Sequence, residues 1–226
     1  MKAPGLEIAC FNLESALIAG KAGADRIELC SGLAEGGTTP DAETIRLAQE
    51  QLNVELFVMI RPRGGDFTYS ADEFALMKKS IAQIKKMNVN GFVFGILTKN
   101  GNVNKEQNRE LLDLASPYPC TFHRAFDKAA DPFIALEDLI ALGFTTVLTS
   151  GQQTDAVDGM SILSGLVKQA DGRITVMPGG GIRSSNISVL KQKINAEFFH
   201  SSAILEKEQA DAAEIKLLKE KLLEKR

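Results

Sequence analysis

The sequence predicts an α/β protein of one domain, a closed (β/α)8 TIM barrel, and three observations predict it. Short apolar runs rich in Val, Ile, Phe and Thr recur eight times, at spacings of roughly 20–35 residues. The segments between them carry apolar residues with a period of about 3.6, as helices packed on a parallel sheet do. The length, 226 residues, suits one such barrel, and no linker rich in Pro, Gly or Ser divides residues 1–226. An open doubly wound sheet is the runner-up, but it opens with a Gly-rich fingerprint after its first strand, where this chain has Cys10-Phe11-Asn12-Leu13-Glu14.

Taken in order, the first strand is expected over Leu6 to Phe11 and the second over Arg26 to Cys30, after the turn Lys21-Ala22-Gly23-Ala24 with its glycine near a helix C-cap. Thr39-Pro40-Asp41 opens the next helix ahead of Ile45 and Leu47, and the third strand follows over Leu56 to Arg61. Asn88-Val89-Asn90 leads into the fourth strand, Gly91 to Leu97, and the fifth runs from Cys120 to Phe126. Asp131-Pro132 starts a helix carrying Leu136, Leu139 and Ile140, which returns through Gly143 to the sixth strand, Thr146 to Ser150. The seventh, Ile174 to Pro178, and the eighth, Glu197 to Ala203, complete the sheet. The tail Glu206 to Arg226 is charged, yet Ala212, Ile215, Leu218 and Leu222 keep helical spacing. It is an expected eighth helix on the barrel wall, closing the barrel or meeting a second copy in a homo-oligomer.

Composition narrows the function classes. Lys and Arg number 26 against 29 for Asp and Glu, a net charge of -3, with no basic block interleaved with aromatics, so nucleic acid is not an expected partner. The apolar run after Met1-Lys2-Ala3-Pro4-Gly5 lacks the length of a signal h-region and no stretch approaches that of a membrane span, so no membrane association is expected and a cytoplasmic location is. Three cysteines, Cys10, Cys30 and Cys120, read as reduced thiols in that compartment.

In this fold the chemistry sits at the C-terminal ends of the strands. Those ends supply Glu28 with Cys30, Arg61 and Arg63 with Asp66, His123 with Arg124 and Asp127, Thr149 and Ser150, Gly179 to Gly181 with Arg183, and His200 to Ser202. Side chains alternate between interior and helix layer, so His123 shares the inward face with Thr121 while Cys120, Phe122 and Arg124 face the other way. Glu28, Arg61, His123 and Asp127 are the candidate catalytic residues, with Glu28 and His123 exchanging protons and Arg61 also placed to neutralise Glu28. Arg63, Gly179, Gly180, Gly181, Arg183 and Ser201 are the candidate anion cradle: glycines let backbone N–H groups approach a phosphate, and a helix from about Ser184 adds its N-terminal potential. No lysine at an inward strand end supplies a Schiff base, and no His/Asp cluster of a two-metal hydrolase is present.

Five segments share a pattern with one family: Ala24-Asp25-Arg26-Ile27-Glu28-Leu29-Cys30-Ser31-Gly32 running on to Pro40, then Val58 to Phe67, Thr121-Phe122-His123-Arg124-Ala125-Phe126-Asp127, Leu148-Thr149-Ser150-Gly151, and Met177-Pro178-Gly179-Gly180-Gly181-Ile182. In this order they resemble the CutC copper-homeostasis family. The resemblance implies a cytoplasmic TIM barrel assigned to copper handling, with Cu(I) ascribed to Cys10 and Cys30. Soft sulfur ligands suit Cu(I). Parity, however, turns Cys10 away from the interior if Glu7 faces inward as Glu28 does, and Met59 and Met177 read as barrel filling. Two functions therefore stand side by side: a Cu(I)-binding homeostasis protein, or an enzyme of the lyase or isomerase kind acting on a small phosphorylated or carboxylated metabolite at the barrel mouth.

Overall fold

A computed structural model describes residues 3–206 and 208–224. Strands and helices alternate along the chain: β1 (Gly5–Cys10), α1 (Leu13–Ala22), β2 (Arg26–Leu29), α2 (Ala42–Gln51), β3 (Glu55–Met59), α3 (Ala71–Ile84), β4 (Gly91–Phe94), α4 (Lys105–Ala115), β5 (Cys120–Phe122), α5 (Pro132–Leu142), β6 (Thr146–Thr149), α6 (Met160–Ala170), β7 (Thr175–Pro178), α7 (Ile187–Ile194), β8 (Phe198–Ser201) and α8 (Ala212–Leu223). Neighbouring strands pair in parallel in the order β7-β6-β5-β4-β3-β2-β1-β8, and the outer members β7 and β8 pack side by side. The sheet is a nearly closed barrel. Among the described residues no helix is long and apolar enough to cross a membrane.

The helices start where side chains can take up orphan backbone donors. Asn12, Asp41, Ser70, Asn104, Asp131 and Asp211 each accept from an N–H two or three residues on, and Ser70 closes a reciprocal box with Glu73. Each such cap contributes about 1 kcal/mol. Gly23 and Gly143 end α1 and α5 at φ 105° and 94°, a conformation other residues adopt only with strain.

Several expected bounds shift. The third, fourth and fifth strands end at Met59, Phe94 and Phe122 rather than at Arg61, Leu97 and Phe126. In the fifth, the His123 ring accepts the Ala125 N–H, which folds Arg124–Lys128 into a 3-10 turn and breaks strand alternation. The helix after the glycine run begins at Ile187, not Ser184, because Asn186 first accepts the Arg183 N–H. The tail helix covers Ala212–Leu223 of the expected 206–226; Lys207, Lys225 and Arg226 lie outside the described residues. It packs between α1 and α7 and so closes the wall.

Outward strand residues such as Leu6, Ile8, Ile27, Val58, Phe94 and Phe199 meet the helices in one large core, whereas Cys30, Phe57, Met59 and Val93 form a separate cluster inside the barrel. The pairings Ala9 with Glu28, Glu28 with Phe57, Met59 with Val93, Val93 with Thr121 and Glu7 with His200 fix the register. In an eight-stranded barrel with this stagger, alternate strands supply each interior layer. Glu28, Val93, Leu148 and His200 make one layer. Ala9, Met59, His123 and Gly179 make the next one toward the mouth.

Candidate functional site

Four ionisable groups and a thiol run as a chain through the barrel interior. Arg26 Nε donates to Glu7 Oε2, and its guanidinium sits 4.3 Å over the Phe57 ring and 4.6 Å over Phe198. Glu7 Oε1 lies 2.7 Å from His200 Nδ1, His200 Nε2 lies 4.0 Å from Glu28 Oε2, and the same Glu28 oxygen accepts from Cys30 Sγ at 3.6 Å. Glu7, Arg26, Glu28 and His200 are all buried.

Burial sets these groups apart from their ordinary behaviour, and neighbours decide the outcome. It pushes Glu7 up, but the Arg26 charge and the His200 hydrogen bond and charge outweigh it and hold the carboxyl below the usual range. It lifts Glu28 to about 7, with His200 pulling down and Glu7 pushing up. It would lower His200, yet the bond to Glu7 and the Glu28 charge leave that imidazole above its ordinary value. Glu28 and His200 thus form an acid–base pair near neutrality.

Glu7, Glu28 and His200 each offer a ligand atom, all within 4.8 Å of one another. The guanidinium of Arg26 already supplies the positive charge there, so the trio is an ion-pair network and not a cation site.

The structure corrects several expected roles. Arg61 does not neutralise Glu28: its Nη1 donates to the carbonyls of Glu35 and Gly37 at 2.8 and 2.9 Å and its Nη2 to that of Gly65 at 2.9 Å, pinning two loops. Arg63 binds Glu73 at 2.6 Å and Asp66 at 3.0 Å instead of facing an anion. His123 is poorly suited to exchange protons near neutral pH, since burial, and then the Arg61 charge, press it down to about 3. Its ring lies 5.0 Å from that of Phe67.

Asp127 serves a loop. It accepts from Thr149 Oγ1 at 2.5 Å, from the Ser150 and Gln152 N–H groups, and from Arg124 Nε at 2.8 Å, which ties the segment after β6 to that after β5.

The glycine run stands where it was expected, but its partners differ. Arg183 donates to the carbonyls of Ile182 and Ile204 at 2.8 and 2.9 Å. Ser201 faces the helix layer and donates to Ile182 at 2.7 Å. The guanidinium beside the run is that of Arg124, which is paired to Asp127: a Cβ on Gly180 would lie 3.3 Å from it and 3.1 Å from Ser150 Cβ. Arg124 Nη2 donates to Ser150 Oγ at 2.9 Å. Gly180 (φ 95°) and Gly181 (φ 67°) turn the chain there, so the run is a cradle a side chain would fill.

Cys10 and Cys30 lie on neighbouring strands with opposite faces. Cys10 joins the outer core and donates to the Ile8 carbonyl at 3.6 Å, whereas Cys30 belongs to the interior cluster. Burial, and then the Glu28 charge, push both thiols well above the usual range. A two-thiolate Cu(I) site does not fit this donor set. Burial lifts Cys120 to about 12, and it donates to the Tyr118 carbonyl at 3.5 Å.

Sequence reasoning missed Glu7 and Arg26 as site residues and placed His200 at a strand end without a catalytic role. Equal parity with Glu28 and with the eighth strand was the available signal. Among the described residues, the buried side-chain atoms without a hydrogen-bond partner are Glu28 Oε1, Arg61 Nε, Tyr69 OH, Thr121 Oγ1 and His123 Nε2. Glu28 lies in β2, Thr121 in β5 and His123 just past the end of β5.

Residues 5–205 match the model of the CutC family. A human relative named copper homeostasis protein cutC homolog is 48% identical over 198 residues, 88% of this chain and 72% of the relative. A family protein CutC from Parabacteroides distasonis is 46% identical over 199 residues, 88% of this chain and 82% of that one. A crystal structure described as the copper homeostasis protein CutC of Streptococcus agalactiae superposes with a TM-score of 0.84 at 32% identity, covering 88% of this chain and 98% of that one. With these sequence and structural matches lying over the barrel just described, the chain belongs to the CutC family.

Proposed function

We propose that the chain takes part in copper homeostasis, the role its human relative is named for, that it does so in the cytoplasm, and that its barrel mouth works as an enzyme site moving a proton on a small phosphorylated or carboxylated metabolite. The observation that carries this reading is the buried Glu28–His200 pair, with a carboxyl lifted to about 7 beside an imidazole also raised. Such a pair holds and releases a proton at neutral pH. Gly180, Gly181 and Arg124 at the rim are the anion holders in this reading, taking the place first given to Arg183 and Ser201.

A second reading keeps Cu(I) as cargo in a one-thiol form. It is favoured by Cys30, which shares its cluster with the Met59 thioether and hydrogen-bonds a carboxylate able to accept the displaced proton.

Two measurements separate the readings. Phosphate at a hundred times its dissociation constant stabilises by about 2.7 kcal/mol, and Arg124→Ala with Gly180→Asp should abolish the melting shift. Anaerobic Cu(I) competition against a chelator should show weak binding that Cys30→Ser removes and Cys10→Ser leaves. Strong, equal losses in both cysteine variants with no anion response would overturn the enzyme reading.

A further inference from the structure

We propose that the loops after β2 and β3, residues 32–37 and 62–66, form one lid over the barrel interior, latched by Arg61, and that its opening uncovers Cys30 and the Glu28–His200 pair beneath it. The lid serves either reading of the interior, since proton exchange and Cu(I) capture both need a way in, and its test depends on neither.

The cover is seen at Gly37. A Cβ there would lie 3.3 Å from Cys30 Sγ and 3.6 Å from Met59 Cε, so this stretch of backbone lies directly on the interior cluster. Cys30 is 1% exposed and Met59 4%. With the lid shut, the Cys30 thiol donates inward, to Glu28 Oε2 at 3.6 Å.

What holds the lid is polar. Leu33–Glu35 form a 3-10 turn with no buried residue, and Ala34, Glu35 and Gly36 are exposed. Among the described residues, neither apolar cluster includes any of residues 32–37. The turn hangs instead on the Arg61 guanidinium, which donates to the Glu35, Gly37 and Gly65 carbonyls. Glu35 Oε2 accepts the Gly64 N–H at 3.1 Å, so the two loops move together.

The latch itself stays with the frame. The Thr39 N–H donates to the Arg61 carbonyl at 2.9 Å, and the Arg61 N–H donates to Thr39 Oγ1 at 2.8 Å. Phe67 marks where the moving segment ends: its carbonyl accepts the Leu97 N–H at 2.9 Å, and its ring packs on the outer core. A segment that buries little apolar surface and is held by a few hydrogen bonds opens at far lower free energy than the whole fold. Arg61 Nε is buried without an acceptor in the closed form, which lowers the cost of release. Gly32 (φ 62°) and Gly37 (φ 100°) flank the turn and absorb the backbone rotation.

The test is alkylation of the folded full chain with N-ethylmaleimide, each cysteine being read separately by mass spectrometry of its peptide. Cys10 and Cys30 are both buried, so a molecule that opens only as a whole labels them alike. With the lid, Cys30 should label at least about tenfold faster than Cys10, and its rate should stay flat in low urea while the Cys10 rate climbs with global unfolding. Arg61→Met removes the three latch bonds and should raise the Cys30 rate about tenfold relative to that of Cys10. Glu35→Ala alters an exposed side chain, leaves the core intact and should raise it about threefold. Equal rates for Cys30 and Cys10 in the wild type, with the same urea dependence, overturn the lid. So does a rise in Arg61→Met that Cys10 shares in full, with Glu35→Ala unchanged, because Arg61 then supports the whole fold. If Arg61→Met does not fold, the wild-type comparison and Glu35→Ala decide.

Discussion

Replacing His123 with Gln should remove a specific acid sensitivity of the fold. The imidazole is held down to about 3 in the folded chain from an ordinary value of 6.5, so the unfolded chain takes up its proton first as pH falls. Its contribution is intact above pH 6.5 and is lost progressively below it, down to about 3. Each tenfold difference in proton affinity is worth about 1.4 kcal/mol. At about pH 4.5, two decades below the unfolded value, the wild type has therefore lost about 3 kcal/mol through this residue relative to about pH 7.5.

Glu28 acts in the opposite sense. Its folded value is raised from 4.5 to about 7, so its contribution is present below pH 4.5 and is lost as pH rises towards about 7. Over the same window the two nearly cancel in the wild type, and only the difference between wild type and variant isolates His123. Gln keeps an acceptor for the Ala125 N–H and cannot titrate. Urea unfolding of both proteins at the two pH values measures the difference, which should move by about 3 kcal/mol against the wild type on acidification. An unchanged difference would refute the reasoning, since it would mean that His123 is equally easy to protonate in the folded and unfolded chains.

Two further outcomes follow from the same geometry. Glu7→Gln leaves the buried Arg26 charge uncompensated and should destabilise the fold by about 3–5 kcal/mol in urea, while also lowering the His200 pKa; a loss below about 1 kcal/mol would contradict the network. Gly180→Ala places a Cβ 3.1 Å from Ser150 Cβ at φ 95° and should lower stability by at least about 1 kcal/mol in thermal melts, so a neutral variant would argue against the tight cradle.

The eight strands were legible because each is a short apolar run between well-marked helix starts, and the cap residues Asp41 and Asp131 stand where the sequence placed them. Parity was equally legible for the thiols: it put Cys10 and Cys30 on opposite faces, as found. Parity stopped serving where the strand stopped. Once His123 turned the chain into a 3-10 turn, Arg124, expected to face the helices, reached Ser150 and Gly180 instead.

Long side chains were not legible at all. Arg61 and Arg183 satisfy loop carbonyls whose positions depend on residues far along the chain, such as Gly37 and Ile204, and no local pattern foretells that. The interior network stayed hidden for a similar reason. Glu7 and His200 are 193 residues apart and meet only because β8 closes on β1.

The central claim is that one histidine is a fixed neutral donor beside the acid–base pair formed by the other. The chain has two histidines, so nitrogen-15 NMR of histidine-labelled protein reads both without ambiguity. Between about pH 8 and pH 5, His123 should stay in the neutral Nε2–H form with no titration, while His200 should titrate above the ordinary value of 6.5. A His123 that titrates near 6.5, or a His200 that remains neutral to pH 5, would contradict the account.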